Sequence, residues 1–233
     1  MTKLTRTASA RDGRAVLMAP ALVAVVMALL IAGCGNKPQV PDWQMNAHGA
    51  LERYVEAYLV GDSRVEDAEF LRAREALSRT GDAALVARAE LTRCALRVAS
   101  LALAPCVGFD ALRPDVPPAE RAYADYLAAR STPADAALLP PQHRAVAAGQ
   151  GDAAAVRAIA DPVARLVAAG VLMQSGRASP EVLQLAVETA SAQGWRRPLL
   201  AWLGVQLRRA EQAGATEEAA RIRRRQALVL GGS

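Results

Sequence analysis

The sequence has few of the residues that build catalytic and metal sites. Its 233 residues include two histidines, His48 and His143, which stand far apart in the chain. This spacing indicates no ordinary metal site. The chain also lacks a nucleophile-elbow motif, a phosphate-binding loop and a dinucleotide-binding fingerprint. We therefore predict that the protein is not an enzyme and that it uses no cofactor. A paired-carboxylate site remains an alternative, because such sites leave little trace in one sequence.

Aromatic residues and alternating polar patterns are also scarce. Phenylalanine, tryptophan and tyrosine together make up 4% of the chain, whereas alanine, the strongest helix former, is abundant. No stretch alternates apolar and polar residues, so no strand is predicted. From Asp42 onwards the apolar residues follow helical spacing, and we predict an all-α protein. Glu66, Asp67 and Glu69 stand beside arginines, and we interpret them as a solvated helix face.

Long apolar runs are absent except for one near the N-terminus. Residues 1–14 carry four basic side chains and one acid, and residues 15–33 carry no charge. Small residues and a cysteine end the run at Ile31-Ala32-Gly33-Cys34. A basic start, an apolar centre and small residues at the end are typical of a secretory signal peptide. One alternative is a membrane-spanning helix, for which about 20 apolar residues suffice. The other is an ordinary signal peptide followed by a chance cysteine.

The motif Ile31-Ala32-Gly33-Cys34 resembles the lipobox of bacterial lipoproteins, in which Ile31 is a permitted variant. The resemblance implies that residues 1–33 are removed and that Cys34 is acylated and anchors the chain to a lipid bilayer. Residues 34–41 would then form a tether. Because glycine follows the cysteine where a retained Gram-negative lipoprotein has aspartate, the resemblance implies an outer-membrane location facing the periplasm.

The charge of the chain is unevenly distributed. The net charge is +5, of which residues 1–33 contribute +3, so the remaining chain carries +2 and gives no argument for a nucleic-acid partner. Residues 42–90 carry −4, and residues 196–233 carry +5. The basic end is either a solvated helix face or a surface for an acidic partner or anionic lipid. Its candidate partner-binding rim consists of Arg221, Arg223, Arg224 and Arg225.

Helix-start signals recur at a constant spacing in the C-terminal third. Candidate starts lie 18 residues apart, at Pro162, Pro180, Pro198 and Thr216. Asp161 and Ser179 are predicted to cap the first two helices, and the glycines before the last three starts are predicted to end the preceding helices, at Gly176, Gly194 and Gly214. Two such helices approach the length of a tetratricopeptide repeat, which the chain resembles in layout only. We predict antiparallel helix hairpins stacked as a short α-solenoid-like array. An irregular helical bundle is the alternative.

The organisation of the mature chain follows from its helix breaks. Prolines and glycines between Ala104 and Pro118 form the clearest break. We predict N-terminal helices over residues 42–103, a loop over 104–118 and a C-terminal helical stack over 119–233.

Two cysteines remain beyond Cys34. Cys94 and Cys106 form an even pair, and an exported protein meets an oxidising compartment. We predict a structural disulfide between them. A redox or metal-binding pair is the alternative, although the chain has no Cys-x-x-Cys motif.

These observations together predict a lipid-anchored periplasmic protein that acts as a helical binding or assembly scaffold for an envelope protein. Periplasmic helical-repeat lipoproteins, which the chain resembles in broad plan, commonly serve assembly machines. The alternative function is that of a cell-envelope remodelling enzyme or of an activator of one.

Overall fold

A computed structural model describes residues 41–231, and the prediction of an all-α protein is confirmed because these residues contain no strand. The predicted signal peptide, Cys34 and all of the predicted tether except its last residue lie outside the described residues.

Ten α-helices follow one another in the described part of the chain. They are α1 Asp42–Val60, α2 Ser63–Ser78, α3 Ala83–Ala99, α4 Val107–Asp110, α5 Pro118–Leu127, α6 Ala153–Arg157, α7 Pro162–Gln174, α8 Pro180–Ala192, α9 Arg196–Gln212 and α10 Thr216–Gly231. Between α4 and α6 lie short 3-10 helices at Arg113–Asp115, Pro133–Leu138 and Pro141–His143, and a π-helical turn at Val146–Gln150. The segment predicted as a loop over residues 104–118 therefore contains α4 and one of these 3-10 turns.

Side-chain caps determine where many of these helices begin. The carboxylate of Asp161 accepts a hydrogen bond from the backbone N–H of Ala164 at 2.6 Å, and the hydroxyl of Ser179 accepts one from Val182 at 3.3 Å. Such bonds satisfy backbone donors that have no partner inside the helix. The same kind of cap begins three other helices, at Asp62, Asp82 and Asp152.

The predicted spacing of the C-terminal helices is largely confirmed. α7, α8 and α10 begin at the predicted residues. Gly176, Gly194 and Gly214 have φ angles of 72°, 66° and 67°, the left-handed conformation that ends a helix. α9 begins two residues before the predicted Pro198, at Arg196. The early start is tolerated because the first N–H groups of a helix have no intrahelical acceptor, so the missing N–H of a proline costs nothing there.

The C-terminal helices pack in sequence order, α7 on α8, α8 on α9 and α9 on α10, as expected for an array. Contacts between α3 and α7 and between α1 and α9 join this array to the N-terminal helices. Gly170 lets α7 approach α3 closely, because a Cβ atom at this position would collide with the backbone oxygen of Val98. The indole N–H of the fully buried Trp202 donates to the carbonyl of Ala99 at 2.9 Å.

Two hydrophobic cores share α3. One face of this helix contributes Ala89 and Leu96 to a core formed mainly with α1 and α2. Another face contributes Leu91 and Val98 to a larger core that extends to α10. Because α3 is buried on both sides, it positions residues from both parts of the protein around the site described next.

Candidate functional site

A cleft of ≈ 610 Å³ opens beside α3. Its walls come from α1, α3, α5, the 3-10 segment over residues 138–143 and the start of α7. This volume lies within the range of small-ligand pockets. Most of the lining is apolar and includes Val55, Leu91, Ala95, Leu96, Leu139, Val163 and Val167.

The charged groups that line the cleft cancel one another. Arg88 donates to Glu120 at 2.8 Å. Arg144 donates to the backbone oxygen of Leu139 at 2.9 Å, and Asp161 caps α7. Two cations therefore stand against two carboxylates, and the cleft as a whole has no net charge to attract an ion.

A buried histidine lies at the inner side of the cleft. His143 is 1% exposed and is one of the lining residues. Its Nδ1 is 3.2 Å from the hydroxyl of Tyr126, which is fully buried. The rings of Tyr123 and Tyr126 pack against the imidazole with centroids 5.7 Å and 4.9 Å away. Among residues 41–231, Nε2 of His143 has no hydrogen-bond partner.

This aromatic cluster is electrically neutral at ordinary pH. Burial lowers the pKa of His143 to about 4, and the nearby charge of Asp161 only partly opposes this effect. Burial raises the pKa values of Tyr123 and Tyr126, so both hydroxyls keep their protons. The cluster can therefore donate and accept hydrogen bonds without carrying a charge.

A second cluster of polar side chains, outside the cleft lining, surrounds the buried carboxylate of Glu90. Glu90 is 2% exposed and pairs with Arg74 at 3.0 Å and with Arg93 at 2.6 Å. The Arg93 guanidinium also lies 4.4 Å from the centroid of the Phe70 ring. These contacts tie α2 to α3 and give Glu90 a structural role.

The interpretation of Glu69 as part of a solvated helix face was wrong. Glu69 is 5% exposed and pairs with Arg53 at 2.9 Å and with Arg72. The hydrogen bond from Arg53 is the main cause that lowers the pKa of Glu69. The partner Arg53 comes from α1, and spacing along α2 alone cannot reveal a partner on another helix.

Cys94 and Cys106 are joined in a disulfide whose Cα atoms lie 5.9 Å apart. The bond connects α3 to the residue that precedes α4. The helix that follows, α4, packs closely on Glu90, since a Cβ atom added to Gly108 would collide with the Glu90 carboxylate.

The four arginines of the predicted rim lie on the last helix, α10. Arg221 pairs with Glu218, and Arg223 pairs with Glu211. Arg224 and Arg225 form no ion pair within residues 41–231. Arg221, Arg224 and Arg225 line a shallow surface together with Leu228, whereas Arg223 does not line it.

Comparison of the chain with protein-family models, with curated proteins and with solved structures finds no significant match. Within residues 41–231, none of the helices combines the length and the apolar character needed to cross a bilayer. In the same part of the chain, no three histidine, cysteine, aspartate or glutamate side chains lie together as a metal site would require.

Sequence reasoning did not identify the cleft or its histidine. His143 was considered only as a metal ligand, and Asp161 only as a helix cap. The available signal was the position of His143 just after Pro140-Pro141, in a stretch without helical periodicity. Such a stretch often brings polar side chains to a site that regular helices support.

Proposed function

We propose that this protein is a lipid-anchored helical binding module of the bacterial envelope and that it docks an acidic protein partner on the outer face of α10. The observation that carries this proposal is the composition of that face. α10 buries Ala219 and Ile222 against the rest of the protein, and its main neighbour is α9. Leu228, on the remaining surface, is 77% exposed.

An end helix of a stack ordinarily presents a polar outer face. Here an exposed leucine lies beside Arg224 and Arg225, neither of which has an acidic partner in the described part of the chain. An apolar residue bordered by unpaired cations suits a partner that offers an apolar contact surrounded by carboxylates. The charge imbalance of residues 196–233, +5, supports the same choice of partner.

Anchoring at Cys34 would increase the encounter rate with any partner on the same membrane. The Cys34→Ser variant tests this part of the proposal. We expect an unacylated precursor that no longer partitions with membranes, measured by fatty-acid labelling and detergent partitioning. Unchanged acylation of the variant would refute the anchor and leave docking by α10 to be judged separately.

Docking is tested with a photo-crosslinking residue at position 228 in living cells, with position 71 as the matched control. Leu71 lies on α2 and is 66% exposed, so both positions are accessible. The proposal expects one defined protein to be captured from position 228 and not from position 71. It expects capture to weaken as salt rises. Equal capture from both positions contradicts docking by α10.

Charge reversal tests whether Arg224 and Arg225 contribute to partner binding. Arg224→Glu/Arg225→Glu should abolish most of the capture and its salt dependence. Arg64→Glu/Arg157→Glu changes the net charge equally at exposed sites elsewhere and should preserve capture. Circular dichroism checks that helix content is equal in both variants. If α10 instead binds vesicles of phosphatidylglycerol and captures no protein, the partner is a membrane and the proposal is wrong.

The alternative of an envelope-remodelling enzyme has less support. Such an enzyme needs carboxylates free to exchange protons, whereas Glu69, Glu90 and Glu120 each have an arginine partner within 3.0 Å. The geometry therefore favours a binding module.

A further inference from the structure

The unpartnered nitrogen of His143 indicates what the cleft can bind. The Tyr126 hydroxyl is fully buried, and its hydrogen bond to Nδ1 of His143 is the one it makes in the described part of the chain. If Nδ1 carried the proton, the hydroxyl proton of Tyr126 would have no acceptor, and an unsatisfied buried donor is costly. The favourable arrangement has Tyr126 donating to Nδ1, which places the imidazole proton on Nε2. His143, which lines the cleft, therefore has one uncharged N–H donor without an acceptor.

The charges of the cleft restrict what that acceptor can be. Arg88 is paired with Glu120, and Arg144 is bonded to a backbone oxygen. Asp161 lies near enough to His143 for its charge to act on the ring. A ligand carboxylate placed at Nε2 would be repelled by the charge of Asp161. A neutral carbonyl avoids this repulsion and still accepts the hydrogen bond.

The rest of the lining is suited to apolar side chains. Leu91, Leu96 and Val167 belong to the apolar wall. Leu138, at 45% exposure, extends this wall towards solvent. The chemistry that fits is a carbonyl group flanked by apolar groups.

We propose that the cleft binds an uncharged, apolar segment of a polypeptide whose backbone carbonyl accepts a hydrogen bond from Nε2 of His143. The choice of a peptide rests on the proposed function, protein binding, but the site is separate from the outer face of α10. The hydrogen bond fixes the position of the segment, and the apolar wall contributes most of the affinity.

The first experiment determines the tautomer. The chain contains two histidines, so ¹⁵N-histidine labelling gives two rings, and His48, with 74% of its side chain exposed, serves as the internal reference. The proposal expects the proton of His143 on Nε2 at neutral pH. A proton found on Nδ1 would overturn it, because the cleft would then offer an acceptor.

The second experiment measures binding by calorimetry and by the same resonances. The probe is a leucine–alanine pentapeptide with acetylated and amidated ends. It should bind saturably and shift Nε2 of His143 while leaving His48 unchanged. Analogues with a central glutamate or lysine should bind at least about tenfold more weakly, because burying an unpaired charge is costly.

Variants test separately the hydrogen bond from His143 and the apolar wall of the cleft. Tyr126→Phe/His143→Leu replaces both buried polar partners by apolar groups, which limits its effect on folding. It should lower peptide affinity about three- to tenfold, the effect of one lost hydrogen bond. His143→Gln retains an N–H donor and should recover part of this loss. Leu138→Ser should weaken binding, whereas Leu103→Ser, at a residue of matched 44% exposure outside the cleft lining, should not.

Three results would overturn the proposal: no saturable binding of the blocked peptide, equal binding of the charged analogues, or binding of dodecanoic acid methyl ester without binding of the peptide. The last result would assign the cleft to lipid. None of these results affects crosslinking from position 228, so failure here and failure of the proposed function are distinguishable.

Discussion

Glu90 and His143 are buried to nearly the same extent, at 2% and 1% exposure, yet their surroundings differ. Glu90 forms ion pairs with two arginines and lies against α4. His143 is neutral, lies among aromatic rings and borders an open cleft.

The difference separates two uses of a buried polar group. A buried ion pair whose partners come from several elements ties those elements together and offers nothing further to a ligand. A neutral side chain with one bonded nitrogen and one unpartnered nitrogen is held in place and retains one hydrogen bond for a ligand. The following predictions test whether these two roles are separate.

The largest effect is expected at Glu90. Glu90→Ala leaves Arg93, at 25% side-chain exposure, without its acidic partner, and should lower the free energy of unfolding by about 3–5 kcal/mol in urea titrations. The matched control is Glu75→Ala, which removes an exposed pair with Arg79 and should cost less than about 1 kcal/mol. Equal costs would mean that burial adds nothing to the Glu90 pair.

The second effect concerns His143 and pH. Its pKa is about 4 in the folded protein and 6.5 as the reference value, so between these values the unfolded chain binds more protons than the folded chain. Stability is therefore full above pH 6.5 and is lost as pH falls towards 4, by roughly 3 kcal/mol in total.

Urea titrations from pH 7.5 to 4 measure this loss. In His143→Gln, the free energy of unfolding should depend less on pH over this range, because glutamine does not titrate. In His48→Gln, at the exposed histidine, the free energy of unfolding should depend on pH as it does in the wild type. If His143→Gln instead keeps the pH dependence of the wild type, the imidazole of His143 is not buried in its neutral form.

The disulfide gives the next effect. Replacing Cys94 and Cys106 by serine opens a loop with a sequence separation of 12 and should cost about 2–3 kcal/mol. Because α4 covers Glu90 and not the cleft, the blocked peptide should bind this variant with unchanged affinity. Weakened peptide binding by a folded variant would show that the two buried groups are coupled. Thiol labelling of the denatured, unreduced protein should find neither cysteine free.

The smallest effect is expected from one added methyl group. Gly108→Ala would push a Cβ atom against the Glu90 carboxylate and should cost about 1–2 kcal/mol as overpacking. In the Glu90→Ala background most of that cost should disappear, which a double-mutant cycle measures. Additive costs would indicate that α4 does not press on this pair.

Local rules predicted the regular parts of this fold. The caps at Asp161 and Ser179 and the glycines that end α7, α8 and α9 are encoded within a few neighbouring residues, and each has its predicted role. The disulfide between Cys94 and Cys106 was also predicted, on the expectation that the chain is exported to an oxidising compartment.

The cleft depends on residues that are distant in sequence. His143 meets Tyr126 across 17 positions, and the partner of Glu120 is Arg88, 32 positions away. Part of the cleft wall comes from the 3-10 turns Pro133–Leu138 and Pro141–His143 rather than from long amphipathic helices. In that part, no periodicity indicated which side chains would be buried. The stacking of the C-terminal helices was predictable for the opposite reason, because each helix packs on the next in sequence.

Because the two cores share α3, they are expected to unfold together. Opening either core would strip one face of this helix and expose apolar residues that hold the other core in place. The described part of the chain should therefore melt as one cooperative unit, although its N-terminal and C-terminal helices differ in charge and regularity. The backbone amides of α3 should exchange with solvent deuterium only when the whole unit opens, whereas those of α10, at the edge of the array, should exchange through local fraying.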